Sequence, residues 1–398
     1  MKTVKPNFKD ILEFLYQNYY VKPKLSTVTS SHWEKYGETL TVGSSSADST
    51  MHGFGFGNLF KDTLVNRIKH IPDGILNRGL LNKYCKSQKI REHAAHVLAR
   101  HGRIADFDSV KQAICANLIS EKLPGDLKTI AVIGDGFGFM SSLMKLIYPN
   151  ARIISINLGK VLLFDAHYIN KVFVSAPVGQ AILIRSSEDA ADRSYAFGFI
   201  EAENYHLLRD VDIDLFINIA SMQEINMAVI NSYFNYMRSG NGKRYFYCCN
   251  RITKQLPDGS WIEFFRYPWN GKDEVFLDEL CPWYQKWPSN RPPFWIHADG
   301  PIQHRIVRLA KRDNIESAIS ASEQEKNPRG VSDGIETSRP FPPPNLTPCP
   351  RPCQVAPCAA PSPPKSRSQR LHVLRYLGTQ VLRYPVNHLP NIMRDQSA

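Results

Sequence analysis

The chain has 398 residues, 43 % hydrophobic and 22 % charged, which excludes a small single module or a wholly disordered protein and fits one large folded core with accessories. Its formal charge of +12 is uneven, because residues 339–398 carry seven Arg and Lys365 against Asp395 alone. The remainder has an ordinary charge for its size, so no nucleic-acid partner is expected.

The eight cysteines are scattered, and Cys248 and Cys249 adjoin in an apolar stretch where free thiols are at home, so no disulfide framework is implied. No apolar signal core follows Met1, and no run of about 18 apolar residues occurs. The expectation is a soluble cytoplasmic protein with no transmembrane segment.

Residues 1–127 lack strand patterns and offer helical periodicity at 8–20, 59–71 and 86–101, which predicts a mainly helical N-terminal cap. A Ser/Gly-rich stretch at 42–57, ending in Gly53-Phe54-Gly55-Phe56-Gly57, has no apolar strand before it and reads as a substrate-covering or flexible loop. From 128 to 313 short apolar runs alternate with helices, the signature of βαβ units. Strands are predicted at 129–133, 152–157, 215–220 and 244–249, with helices at 140–148 and 229–238. A hairpin turn at 256–260 precedes a returning strand at 261–265, and 302–309 closes the sheet. Residues 314–398 turn polar and then proline-rich, a composition that predicts a disordered basic tail. The series Cys349, Cys353, Cys358 has no fourth ligand at a standard zinc spacing.

The run 129–133 leads into Gly134-Asp135-Gly136-Phe137-Gly138. Glycines at that junction let the backbone turn tightly and come close to a bound nucleoside, beside helix amides that favour an anion. A dinucleotide fingerprint, G-x-G-x-x-G, would need its third glycine at Phe139. The spacing G-x-G-x-G instead matches class I methyltransferases, with S-adenosylmethionine as cofactor and Gly134, Asp135, Gly136 and Gly138 in its cradle. Asn157 and Leu158, at the end of the second strand, stand where ribose hydroxyls are met. The segment 218–224 follows a strand whose carboxyl end faces the ligand crevice of such sheets. Asn218 and Ser221 are expected to contact the methionine moiety, and Glu224 to orient substrate or take a proton.

Several segments together resemble the bacterial sugar O-methyltransferase family: 132–138, Asn157-Leu158-Gly159-Lys160, 217–224, 245–251, Asp278-Glu279-Leu280-Cys281-Pro282-Trp283 and Asp299-Gly300-Pro301-Ile302-Gln303-His304-Arg305. Coverage runs from about 123 to 310. The resemblance implies a doubly wound, Rossmann-like α/β methyltransferase sheet and a carbohydrate or glycoconjugate acceptor. It implies an aspartate where Asn157 stands, and an amide offers one acceptor oxygen in place of two, weakening the cofactor's hold by roughly 1 kcal/mol. A sugar hydroxyl needs help to lose its proton, and His304 is the first candidate base, with His167 and His297 behind it. Asp278, Glu279 and Asp299 have the hard oxygens a divalent metal would use, although no metal site is predicted. Aromatics are dense from Trp261 to Trp295 and suit either sugar rings or core. Two other readings remain: a nicotinamide-dependent oxidoreductase, and a non-catalytic regulator binding an adenosine ligand. A homo-oligomer is compatible with either.

Overall fold

The computed structural model describes residues 8–21, 29–37, 61–173, 180–240, 242–288 and 292–312, which fall within one compact unit. The expected loop at 42–57, the tail from 314 and its three cysteines lie outside these residues. In the first third the helices are α1 (Phe8–Tyr16), α2 (Ser31–Gly37), α3 (Leu64–Lys69), α4 (Ile71–Tyr84), α5 (Gln88–His101) and α6 (Phe107–Lys122). The alternating region follows as β1 (Thr129–Ile133), α7 (Phe139–Ile147), β2 (Arg152–Asn157), α8 (Gly159–Phe173), β3 (Gln180–Leu183), α9 (Ser187–Ala191), β4 (Tyr195–Glu201), β5 (Leu215–Ile219), α10 (Met227–Ser239) and β6 (Tyr245–Arg251). The short strands β7 (Thr253–Gln255) and β8 (Trp261–Glu263) come next, then β9 (Glu274–Leu280), β10 (Lys286–Pro288), β11 (Trp295–His297) and β12 (Ile302–Arg308).

Eight strands form one sheet in the order β3-β4-β2-β1-β5-β6-β12-β9. Strands β3 to β6 pair in parallel, and β12 runs antiparallel between β6 and β9. This is the doubly wound, Rossmann-like α/β sheet that the sequence predicted. The chain winds from β1 outward to β2, then returns to place β5 on the other side of β1, so the switch point lies between β1 and β5.

Both faces of the sheet are covered, which explains why its inner strands read as unbroken apolar runs. Along β1, Ile130 and Val132 enter the core shared with α5, α6, α7 and α8, while Ala131 and Ile133 enter the core built on α10. β5 and β6 divide in the same way: Ile217 and Tyr247 face the first core, Phe216 and Phe246 the second. Ile11 and Leu15 of α1, with Val97 of α5 and Ile114 of α6, belong to that first core, so the N-terminal helices and the sheet share one hydrophobic interior.

Local chemistry sets the helix ends. Ser87 caps α5, accepting from Ile90 N, and Gly102 closes it with φ +66°. Asp106 and Ser109 form a reciprocal capping box at the start of α6. Of the helix predicted at 59–71, residues 59–60 lie outside the described residues; α3 begins after its cap at Thr63, and His70 ends it and opens α4. The expected strand 261–265 is shorter, because Phe264–Arg266 turns as a 3₁₀ segment that buries Phe264 against Trp269 and Tyr267. Among the described residues no helix is long and apolar enough to cross a membrane.

A buried ion pair ties the far end of the sheet together. Arg238 of α10 donates to both oxygens of Asp273 at 2.6 and 2.7 Å and to the carbonyls of Pro268 and Ala310. Both side chains are nearly sealed from solvent, so removing one leaves the other as an unmatched buried charge. Asp273→Ala is expected to lower unfolding stability by about 3–5 kcal/mol, read as an earlier urea midpoint at unchanged slope.

Candidate active site

At the carboxyl ends of β1, β2, β5 and β6 a cavity of about 400 Å³ opens over the switch point, within the roughly 300–1,000 Å³ usual for small-ligand sites. Its floor is the turn 134–138. Gly134, Gly136 and Gly138 have φ of +74°, +84° and +58°, a region that costs any other L-residue energy. Space excludes side chains there too: a Cβ on Gly134 would strike Ser221, and one on Gly138 would lie 2.8 Å from the carbonyl oxygen of Asp165. The turn is therefore pressed against the β5 loop on one side and α8 on the other.

The predicted cofactor residues divide into two groups. Gly134, Asp135, Gly136, Asn157, Leu158 and Ser221 line the cavity. Asp135 also caps α7, its oxygens accepting from Met140 N at 3.1 Å and Ser141 N at 2.7 Å. Burial pushes its carboxyl up against the pull of these donors. Asn157 accepts from Leu158 N at 3.0 Å and donates to Asp165 at 2.9 Å.

Gly138 and Asn218 stand behind the lining. Asn218 is fully buried and uses its whole hydrogen-bonding capacity internally. Its Nδ2 donates to the Ile133 carbonyl (2.9 Å) and to Ser221 Oγ (2.6 Å), and its Oδ1 accepts from Met222 N (3.0 Å) and Asn250 Nδ2 (2.9 Å). Asn218 thus holds the site's frame, in place of the expected contact with a methionine moiety.

The two catalytic candidates are far less alike. Glu224 lines the cavity and is met by Lys254 Nζ at 2.6 Å and His32 Nε2 at 3.3 Å. Burial works to raise its carboxyl, but the His32 hydrogen bond and the Lys254 charge prevail and hold it below its ordinary value. His304 is wholly buried in β12, its Nδ1 3.5 Å from Tyr247 Oη and its ring edge-on to Trp283. Burial lowers its pKa, and it is absent from the cavity lining. His167 is buried and lowered to about 4, and His297 is exposed on β11. Neither lines the cavity.

The acids considered for a metal are otherwise engaged, Asp278 with Arg305 and Gln303, and Asp299 with Arg251. Among the described residues no three His, Cys, Asp or Glu side chains form a metal-ion group. Of the aromatics, Tyr284 and Trp287 line the cavity, Phe264 and Tyr267 belong to the second core, and Trp261, Phe265 and Phe294 are exposed.

Sequence reasoning missed several contributors. Ser30 and Trp33, at and beside the start of α2, line the cavity, and Ser30 Oγ donates to the Glu224 carbonyl. The N-terminus of α6 supplies Asp108, Ser109 and Gln112. Behind that wall Lys111 is fully buried, with Nζ 3.1 Å from Asp108 and 3.8–4.0 Å from the ring centres of Trp287, Tyr284 and Phe107. Ala220, also in the lining, has φ +58°. Of these only Lys111 had a visible signal, a cation inside an apolar helical stretch.

No known family profile matches the chain, and no curated protein matches it. Solved structures with some likeness include a candidate O-methyltransferase of Nostoc punctiforme PCC 73102, 13 % identical over 58 % of this chain and 66 % of that one, with a TM-score of 0.32. The mitomycin 7-O-methyltransferase MmcR is 9 % identical over 62 % and 76 %, with a TM-score of 0.33. TrmK of M. capricolum, in complex with S-adenosyl-homocysteine, is 8 % identical over 50 % and 68 %, with a TM-score of 0.31. This chain spans about two thirds of the first of these. At such identities we rest the fold class on this chain's own strand order.

The strained Ala220 gives a direct test. A left-handed L-residue costs about 1–2 kcal/mol, partly offset in a glycine variant by about 0.5–1 kcal/mol of added unfolded-state entropy. Ala220→Gly is expected to be neutral to stabilising by up to about 1 kcal/mol in denaturant titrations, while the β-branched Ala220→Val loses about 2 kcal/mol. Equal stabilities for the two variants would contradict the assigned backbone geometry.

Proposed function

We propose that this chain is an S-adenosylmethionine-dependent methyltransferase that methylates a hydroxyl of a carbohydrate acceptor, in polysaccharide or glycoconjugate biosynthesis. The observation that carries the cofactor half is the turn 134–138, whose three left-handed glycines floor a cavity at the switch point and leave no room for a Cβ at Gly134. Its amides, with Asn157 and Leu158 on one side and Ala220 and Ser221 on the other, are the groups that would hold the cofactor. When bound, the cofactor supplies an electrophilic methyl carbon open to in-line attack, so positioning is this chain's main contribution.

The acceptor half rests on the opposite wall. Arg103 is paired with Asp106 and Lys111 with Asp108, so the wall's charge balances. Carboxylate, amide and hydroxyl groups of Asp108, Gln112 and Ser109 stand beside the rings of Tyr284 and Trp287. A neutral ring bearing several hydroxyls matches that mixture, and a polyphosphate does not. Glu224, kept ionised by Lys254 and His32, accepts the hydrogen bond of the reacting hydroxyl at its carboxylate. His32 Nε2 and Lys254 Nζ beside it hold that carboxylate in place. Trp33 and Ser30 of the N-terminal segment cover this end and limit the entry of water.

The test is calorimetric titration of the full chain with S-adenosylmethionine, S-adenosylhomocysteine and NAD, repeated for Gly136→Val. Micromolar binding of the first two, absent for NAD and lost in the variant, is the expected result. Binding of NAD alone would replace this reading with a nicotinamide-dependent oxidoreductase. Binding of the first two without methyl transfer to any of a panel of glycosides would favour a non-catalytic regulator.

A further inference from the structure

Eight positions beyond Asn157, on the second turn of α8, lies an acid for which neither the fold's hydrophobic packing nor the proposed reaction gives a use. Asp165 is fully buried. Its Oδ1 accepts from Gly138 N at 3.2 Å and its Oδ2 from Asn157 Nδ2 at 2.9 Å, so one carboxyl group holds both arms of the cradle. A carboxylate withdrawn from water is costly unless N–H groups compensate it. Burial, then the charge of Asp135 in the glycine turn, push this carboxyl well above the ordinary range, while N–H groups of Asn157, Gly138 and Gly136 pull against them. Apolar packing would hold α8 more cheaply here, since Ile169 one turn on already touches the space above Gly138.

We infer that Asp165 is a positioning residue of the cofactor site, which sets the spacing between the glycine turn and the end of β2 and orients the Asn157 amide. The inference rests on the reading that this cradle binds S-adenosylmethionine. Asn157 and Asp165 form one hydrogen-bonded unit with an amide at the cavity and a carboxylate behind it. Its polarity is reversible in principle, because an aspartate at 157 still accepts from Leu158 N and can also accept from an asparagine at 165.

The experiment uses the full chain, with S-adenosylhomocysteine and 5′-methylthioadenosine as probes. In Asp165→Asn the single amide oxygen can accept from only one of Gly138 N and Asn157 Nδ2, leaving its NH2 against the other donor, and both probes are expected to bind roughly tenfold or more weakly, as for loss of a hydrogen bond to a charged group. The exchange of Asn157→Asp with Asp165→Asn in one chain should restore affinity to within a few-fold of the parent, which a merely structural role would not do. Asn157→Asp alone places a second carboxylate against Asp165, with Asp135 the further charge acting from the glycine turn. Relative to the parent, its affinity should therefore recover as pH falls and one of the pair takes a proton.

Amide hydrogen exchange over 136–139 reads the same brace without any ligand. It should quicken in Asp165→Asn and slow again in the exchanged pair. Should Asp165→Asn fail to fold, the pH response of Asn157→Asp decides. Unchanged affinity and exchange in Asp165→Asn, no recovery in the exchanged pair, or a pH response like the parent's would each overturn the inference. Absence of probe binding by the parent would instead sink the cofactor reading, and the exchange arm would still decide whether Asp165 braces the turn.

Discussion

One buried amide holds the switch point together. Where β1 and β5 end, the chain must leave the sheet in opposite directions, and the carbonyls and amides exposed by that divergence need partners. Asn218 supplies them, joining Ile133 of β1, the turn at Ser221 and Met222, and Asn250 of β6 through its four hydrogen bonds. With this frame fixed, the glycine turn presses against Ser221 from one side and α8 from the other and floors the cavity.

Around that floor the molecule is built in two chemically different halves. The side of the glycine turn is made of backbone: left-handed glycines, strand ends and short side chains already engaged with amides. The opposite side is made of side chains from distant parts of the sequence, with Trp33, Asp108, Tyr284 and Trp287 brought together over the strand ends. Lys111 is central to the second half. A fully buried ammonium is tolerated there because three ring faces and the Asp108 carboxylate surround it, and in return it fixes the rings and the acid that face the cavity.

Three other ion pairs are handled in a similar way. Arg238 with Asp273, Arg103 with Asp106 and Glu224 with Lys254 are pairs withdrawn from solvent, each tying an element to a distant or neighbouring segment. The Arg103–Asp106 pair and Glu224 line the cavity, and His32 joins Glu224 from the N-terminal segment, so the helical region before β1 contributes to the site as well as to the packing.

The sequence by itself determined the sheet's centre and the turn that floors the site. Parallel strands buried on both faces must be continuous apolar runs, and a turn with three left-handed residues must be glycine, so β1, β2, β5, β6 and residues 134–138 were legible. The strands β3 and β4 were not, because 180–183 is short and Gly198 breaks the run at 195–201. Tertiary structure alone decided which polar groups face the cavity. His304 was the first candidate base and Glu224 was expected to orient substrate or take a proton, yet strand register turns the first into the core and a loop turns the second to the site. Asn218 stands behind the lining, and Asp165 escaped the sequence reading, for a related reason: hydrogen-bond partners 85 and 27 positions away leave no periodic trace along the chain. Local patterning records burial and backbone conformation. Which distant groups converge is set only when the sheet's order and register bring them together.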